Sequence, residues 1–253
     1  AELSSAVAAW EGVIGLDTEF LRTNTFYPIP GLYQIISGQD VYLVDPLNID
    51  DWRPLVDHLE NPDYLVIMHA CGEDLELMHH HFGASPQGVF DTQLAHAFVS
   101  TEFSTSYANL VSVTLNVTLD KHETRSNWLH RPLTEEQIRY AWEDVVHLPH
   151  VYESLSAKLE ETGRTAWFRE TMNVHGNYQP GNPDEYYRSV KKAWKLDGQT
   201  LAVLQSLAAW RERQAMSEDV PRGRVIWDEH LFTFAAMTEL DESIVWETLP
   251  NPI

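Results

Sequence analysis

Residues 13–20 read VIGLDTEF. Val13, Ile14, Leu16 and Phe20 mark a β-strand, yet Asp17 and Glu19 stand among them, two positions apart. Successive side chains of an extended chain alternate between faces, so the two carboxylates point the same way. Like charges on one face of an apolar strand repel each other and lose hydration. Such a pair is either an exposed edge or a place where a counter-charge is brought in. The rest of the chain has to decide between these.

Downstream, GLYQIIS and VYLVD flank Gly38-Gln39-Asp40, the pattern of a β-hairpin, so three antiparallel strands are predicted. DWRPLVDHLE (51–60) has helical spacing, and YLVIMHA (64–70) is a strand of the buried type. EDLELMHHHFG (73–83) is predicted as a helix closed by Gly83. FDTQLAHAFV (90–99) and SYANLVSVTL (106–115) have helical patterns, with Asp91 as N-cap of the first. In PLTEEQIRYAWEDVVHL (132–148), Thr134 and Gln137 form a capping box. Pro149 should kink this helix, which resumes to Gly163. NVHGNYQPGNPDE (173–185) has the composition of a linker, and every periodic segment beyond it is helical. The expectation is an α/β domain over 1–172, a linker over 173–185 and an all-helical module over 186–253.

The composition is that of a folded globular protein: 253 residues, 43% hydrophobic, with nine tryptophans and ten tyrosines. No apolar run approaches the ~20 residues of a membrane span, so no membrane partner is expected. The N-terminal AELSSAVAAWEG lacks the basic start of a secretory signal, and its first residues lead a short helix into the strand. Without an initiator Met the chain is expected to be processed or trimmed. The single cysteine, Cys71, excludes an internal disulfide and fits a reducing, cytoplasmic compartment. The net charge of −21 argues against nucleic acid as a partner. Its distribution is uneven, however. Up to residue 120 only Arg22 and Arg53 are basic against seventeen acids, whereas Arg188 to Arg224 carries eight basic residues and four acidic ones.

Three segments place acids where a core would not want them. Asp17 and Glu19 share a strand face. Asp74 lies in the first turn of a helix after a strand, and Asp144 lies one turn after Tyr140 on the capped helix. Each has an ordinary reading alone: a strand edge, a dipole-compensating acid, a packed Tyr/Asp pair. Four carboxylates at one point would be strongly destabilising without hard cations with oxygen ligands, for which Mg²⁺ or Mn²⁺ is the natural choice. Two such ions roughly 3.5–4 Å apart activate a water and stabilise the leaving oxygen in phosphodiester cleavage.

LDTEF, HACGEDLELM and YAWEDV, in this order, resemble the three motifs of the DEDD exonuclease superfamily, in the subclass with tyrosine in the third motif. YPIPGLYQI, YLVDPL, FDTQLAHAF, TLDKHETRSNWLHRPLTEEQIRYAWEDV and WRERQAMSEDVPRGRVIWDEHL extend the likeness to the ribonuclease D family from about residue 12 to the C-terminal region. The resemblance implies a ribonuclease H-like mixed five-stranded sheet with flanking helices, followed by an HRDC module, a helical nucleic-acid-binding accessory. It implies that Asp17, Glu19, Asp74 and Asp144 hold two divalent metals, that Tyr140 positions the attacking water, and that nucleotides leave RNA 3′ ends as 5′-monophosphates. The implied partner is RNA with a free 3′ end, tRNA and other stable-RNA precursors, met by a monomer. A DNA-directed 3′-5′ exonuclease and a non-catalytic RNA-binding scaffold are the alternatives. His122 and Asn127 depart from the family's usual hydroxyl residue and acid, and the ending TLPNPI stops short of a complete accessory module, so a fragment or shortened form is expected.

Further residues are candidates for substrate contact. His69 leads into the second motif, and Trp128 and Arg131 precede the catalytic helix, placed for stacking or phosphate binding. Arg188, Lys191 and Lys192, with Lys195, Arg211, Arg213, Arg222 and Arg224, are candidates for the RNA backbone; the plainer reading is that they solvate helix faces. His79-His80-His81 is expected to be a partly exposed helix end rather than a metal tract. Cys71 has no evident orienting group and is expected to be an inert small residue. Trp142 and Trp210 are expected in the core.

Overall fold

In the computed structural model, residues 2–119, 126–237 and Ser243 are described; His122 and the ending TLPNPI lie outside them. By contacts the chain divides into two units, residues 1–21 with 29–178 and residues 22–28 with 179–253.

In the first unit α1 (Glu2–Val7) precedes β1 (Val13–Leu21), β2 (Ile29–Ser37) and β3 (Asp40–Val44). Then come α2 (Arg53–Leu59), β4 (Leu65–Met68), α3 (Gly72–Phe82), β5 (Val89–Asp91), α4 (Thr92–Val99), α5 (Tyr107–Leu115), α6 (Glu135–Val146), α7 (Leu148–Glu161) and α8 (Thr165–His175). The sheet runs β3-β2-β1-β4-β5. β1–β2 and β2–β3 are antiparallel, as the hairpin pattern predicts, while β4 and β5 join in parallel. This is the mixed five-stranded, ribonuclease H-like sheet with flanking helices. β5 was hidden in the sequence: Val89–Asp91 is extended, and the helix expected from Phe90 starts only at Thr92. Three residues are too few to show a period of two.

Alternation along β1 divides its side chains between two cores. Ile14 and Leu16 pack with Tyr33, Ile35, Leu55, Leu59, Met68 and Leu75, on the side covered by α2 and α3. The other face belongs to a core of Ile36 of β2 and Ile67 of β4 with Val145 of α6 and Leu148 and Val151 of α7. On that face a Cβ at Gly15 would stand 2.6 Å from Ile36 Cγ2 and 3.0 Å from Leu148 Cβ. Gly15 is therefore what lets the start of α7 lie against β1.

The helix ends follow their sequence signals. Asp91 accepts the N–H groups of Gln93 and Leu94 at the start of α4. Thr134 and Gln137 make both bonds of the capping box, and α3 stops at Gly83 with φ 75°. The expected kink at Pro149 is a full break: His147 ends α6 and caps α7, whose first turn takes the proline without losing a hydrogen bond. Trp142 is not in the core. α6 buries Gln137, Ala141 and Val145, so Trp142, one position further round, is 46% exposed.

The second unit holds α9 (Gly198–Glu218), α10 (Arg222–Val225) and α11 (Asp228–Ala235) around Val190, Ala193, Leu204, Ala208, Ile226 and Leu231. Residues 22–28, which lie between β1 and β2 in the chain, belong to it. Asp219 accepts the N–H groups of Phe26 and Tyr27 at 3.0 Å each, and the Arg222 guanidinium lies 4.6 Å from the ring centres of both Phe26 and Tyr186. Trp210, expected in the core, is exposed because α9 turns Leu204, Ala208, Arg211 and Ala215 inward instead.

Gly15→Ala forces the Ile36 and Leu148 contacts apart, so it is expected to destabilise the fold by about 1–3 kcal/mol, the usual cost of overpacking. Denaturant unfolding checks this; an unchanged midpoint would show that α7 does not depend on the missing Cβ.

Candidate active site

β1 delivers Asp17 and Glu19 on the face shared with Gly15, and α6, packed on β1, β2 and β3, delivers Asp144. One oxygen from each of the three carboxylates lies within 4.8 Å of the others. Asp74 comes from the first turn of α3 and accepts a hydrogen bond from the Thr18 hydroxyl. Asp74 is not one of the three groups within that distance, yet its charge is the foremost of those acting on Asp17, so it stands beside the cluster. The Tyr140 hydroxyl donates to Asp144 across one turn of α6. The other oxygen, Asp144 Oδ2, is buried without any hydrogen-bond partner.

Electrostatics follow from this crowding. Burial first, then the charges of Asp74, Asp144 and Glu19, push Asp17 well above the usual carboxylate range. Burial with Asp144 and Asp74 pushes Glu19 up to about 8. Asp144 is pushed up to about 7 and Asp74 to about 6, chiefly by burial, while Tyr140 and Thr18 respectively hold them down. Tyr140 is itself pushed up by burial and by Asp144, so its hydroxyl keeps its proton at neutral pH. Among the described residues, no basic side chain is a cause of these shifts. Carboxyl groups so disposed either hold protons or hold a cation, and the orphaned Asp144 Oδ2 fits the second state: the group can hold a metal ion.

Other candidates fare differently. Trp128 is buried with Leu32, Ala141 and the Tyr140 ring, so it backs the tyrosine and cannot stack on a base. Arg131 is committed: it forks onto Asp45 at 2.7 and 2.8 Å and donates to the carbonyls of Trp128 and Gly31. It is a loop anchor, not a phosphate ligand. His69 bonds Thr92 Oγ1 at 3.0 Å and the Thr105 carbonyl at 3.1 Å, which occupies both ring nitrogens and removes it from substrate contact. In the second unit Arg211 is 1% exposed and pairs with Asp228 at 2.7 Å, so it cannot reach a backbone phosphate. Arg222 pairs with Glu212 at 2.8 Å, Arg213 with Asp184 at 2.7 Å, and Arg224 bonds Asn24 at 2.9 Å. Arg188, Lys191, Lys192 and Lys195 are exposed, Arg188 in a surface pair with Glu185.

The histidine tract behaves as a helix end, with His81 bonded to the Tyr33 hydroxyl at 2.8 Å. Cys71 does have a neighbour, the Asp91 carboxylate, which together with burial pushes its thiol up and so works against a free thiolate nucleophile. Sequence reasoning missed Gln34. It pairs with Asp17 across the β1–β2 ladder, is fully buried, and has neither amide atom partnered. A glutamine inside the apolar run GLYQIIS was the available signal.

The profile of the 3′-5′ exonuclease family matches residues 1–160, and that of the HRDC domain matches residues 200–246. The chain is 42% identical to ribonuclease D of Pseudomonas paraeruginosa over 240 residues, covering 94% of this chain and 64% of that protein. It is 40% identical to ribonuclease D of Escherichia coli over 240 residues, covering 93% and 63%. The crystal structure of Escherichia coli RNase D, described as an exoribonuclease involved in structured RNA processing, superposes with a TM-score of 0.85 at 38% identity, covering 98% of this chain and 66% of that one. The chain thus spans just under two thirds of the length of these relatives. No helix among the described residues is long and apolar enough to cross a membrane. With the exonuclease profile matching most of its length and the acidic cluster lying inside that match, the chain belongs to the 3′-5′ exonuclease family.

Proposed function

We propose that the chain is a metal-dependent 3′-5′ exoribonuclease that trims RNA from a free 3′ end and releases nucleoside 5′-monophosphates. The observation that carries this reading is the convergence of Asp17, Glu19 and Asp144 with one buried carboxylate oxygen unpartnered. Asp17, Glu19, Asp74 and Asp144 are the residues to hold two divalent ions, Mg²⁺ or Mn²⁺. When bound, such ions supply the positive charge that offsets these carboxylates and the charge developing on a phosphodiester under attack. Tyr140, protonated and hydrogen-bonded to Asp144, orients the attacking water through its hydroxyl. Trp128 holds the Tyr140 ring in place, their centroids 6.0 Å apart. RNA is the proposed substrate because relatives about 40% identical are ribonucleases D, and stable-RNA precursors such as those of tRNA are the proposed physiological targets. Lys191 and Lys192, with Arg188, are the exposed cations proposed to meet the RNA backbone. A cytoplasmic monomer completes the proposal.

A 3′-labelled single-stranded RNA incubated with the protein and Mg²⁺ or Mn²⁺ is expected to release labelled mononucleotide at once, with chelator abolishing the release. Asp17→Ala should lower the rate by about 10²–10³-fold, the scale of losing one electrostatic stabiliser of a transition state. Tyr140→Phe should lower kcat by about 10²-fold with KM little changed. RNA left intact under both metals would overturn the enzyme reading, and faster loss of a matched DNA would overturn the choice of substrate.

The raised carboxyl groups also set a pH dependence. In the folded state they keep protons that the unfolded chain releases above about pH 4. The metal-free fold therefore loses stability as pH rises from about 4 towards the raised values near 6–8. Cations compete with those protons, so thermal stabilisation by Mn²⁺ should be larger at pH 8 than at pH 6. Equal shifts at the two pH values, or none, would contradict the proposed role of these acids.

A further inference from the structure

Away from the acidic cluster, a second set of metal-ligating side chains converges among the described residues. The sulfur of Cys71, a carboxylate oxygen of Asp91 and a ring nitrogen of His175 all lie within 4.8 Å of one another. They come from three elements. Cys71 precedes the first turn of α3, Asp91 ends β5, and His175 is the last residue of α8. Cys71 and Asp91 are closed off from solvent, whereas the His175 side chain is 44% exposed, so the group has one open side.

Asp91 is held in place before any ligand arrives. Its Oδ1 accepts the N–H groups of Ala70, Gln93 and Leu94, and its Oδ2 accepts that of Cys71. The remaining bond to Oδ2 comes from His175 Nε2 at 3.1 Å. Backbone donors fix the carboxylate from behind, as the supporting bonds of a metal ligand do, while its bonds to the His175 ring and the Cys71 thiol are the ones a cation would replace.

We infer that Cys71, Asp91 and His175 form a second metal site, for a borderline divalent cation such as Zn²⁺, separate from the carboxylate centre. The donor set decides the class of ion. One sulfur, one nitrogen and one oxygen suit zinc, whereas Mg²⁺ selects oxygen alone. Tetrahedral zinc with bonds of about 2.0–2.3 Å spaces its ligand atoms by about 3.3–3.8 Å, so small adjustments suffice, with His175 and Asp91 opening slightly from their 3.1 Å separation. On binding, the Cys71 thiol releases its proton to solvent. His175 gives up its bond to Asp91 and offers Nε2 to the ion, and water takes the fourth position on the exposed side. The site would tie the end of α8 to the start of α3, three residues before Asp74.

The test uses the whole chain, stripped of metal and titrated with Co²⁺ as a spectroscopic substitute for zinc. Because Cys71 is the only cysteine, a thiolate-to-cobalt charge-transfer band in the near ultraviolet can arise from this site alone; carboxylate-bound cobalt has none. The wild type is expected to show this band and to retain one equivalent of Zn²⁺ that Cys71→Ser loses. His175→Ala, altering a half-exposed residue, should keep the fold and weaken zinc binding by at least about tenfold. A wild type without the charge-transfer band, or zinc binding unchanged in both variants, would overturn the site.

Discussion

Asp17, Glu19 and Asp144 repel one another, and the fold holds them together regardless. Neither β1 nor α6 tolerates that crowding on its own account. It is enforced by the apolar packing behind it: Ile14 and Leu16 on one face of the strand, and Val145, Leu148 and Ile36 on the other. Gly15 sets how closely α7 lies against β1, and α6 ends one residue before α7 begins. The acids are thus placed by residues that carry no charge. The raised affinity of these groups for protons comes first from burial and then from neighbouring charge, and a divalent cation would relieve both.

The tyrosine of α6 is positioned by a similar division of labour. Its hydroxyl faces Asp144, while its ring packs on the cluster that holds Trp128. Trp128 is in turn held near Gly31, where a Cβ would meet Trp128 Cβ at 2.6 Å. Arg131 then pins the same loop to Asp45 and to two backbone carbonyls. Residues that look suited to a nucleic acid are here spent on holding the tyrosine hydroxyl that faces Asp144.

Much of this was legible in the chain itself. The alternation that put Asp17 and Glu19 on one face is a local property, and so are the Thr134 capping box and the Gly83 helix stop. The spatial order of the acids was legible only as a resemblance, because nothing local says that α6 lies across β1. What escaped were side chains whose roles depend on distant partners. Arg131 and Trp128 are ordinary loop residues until Asp45 and Tyr140 are seen beside them. Arg211 counts as a surface cation until Asp228 is found 2.7 Å away. The tryptophans misled for a related reason: size suggests burial, but α6 and α9 each spend their inward stripe on other residues. Three-residue β5 was too short to carry a period.

The association of residues 22–28 with the second unit has a consequence for any attempt to divide the protein. The C-terminal helices do not form a detachable tail, because part of their structure is borrowed from a loop that interrupts the sheet. A cut near residue 178 would strip Phe26 of the Arg222 guanidinium and leave two backbone amides without Asp219. The loop that would be orphaned is the one directly following the strand that carries Asp17 and Glu19. Modularity in the family profiles therefore does not translate into a clean cut of the polypeptide, since residues 22–28 fall within the exonuclease profile yet belong to the second unit.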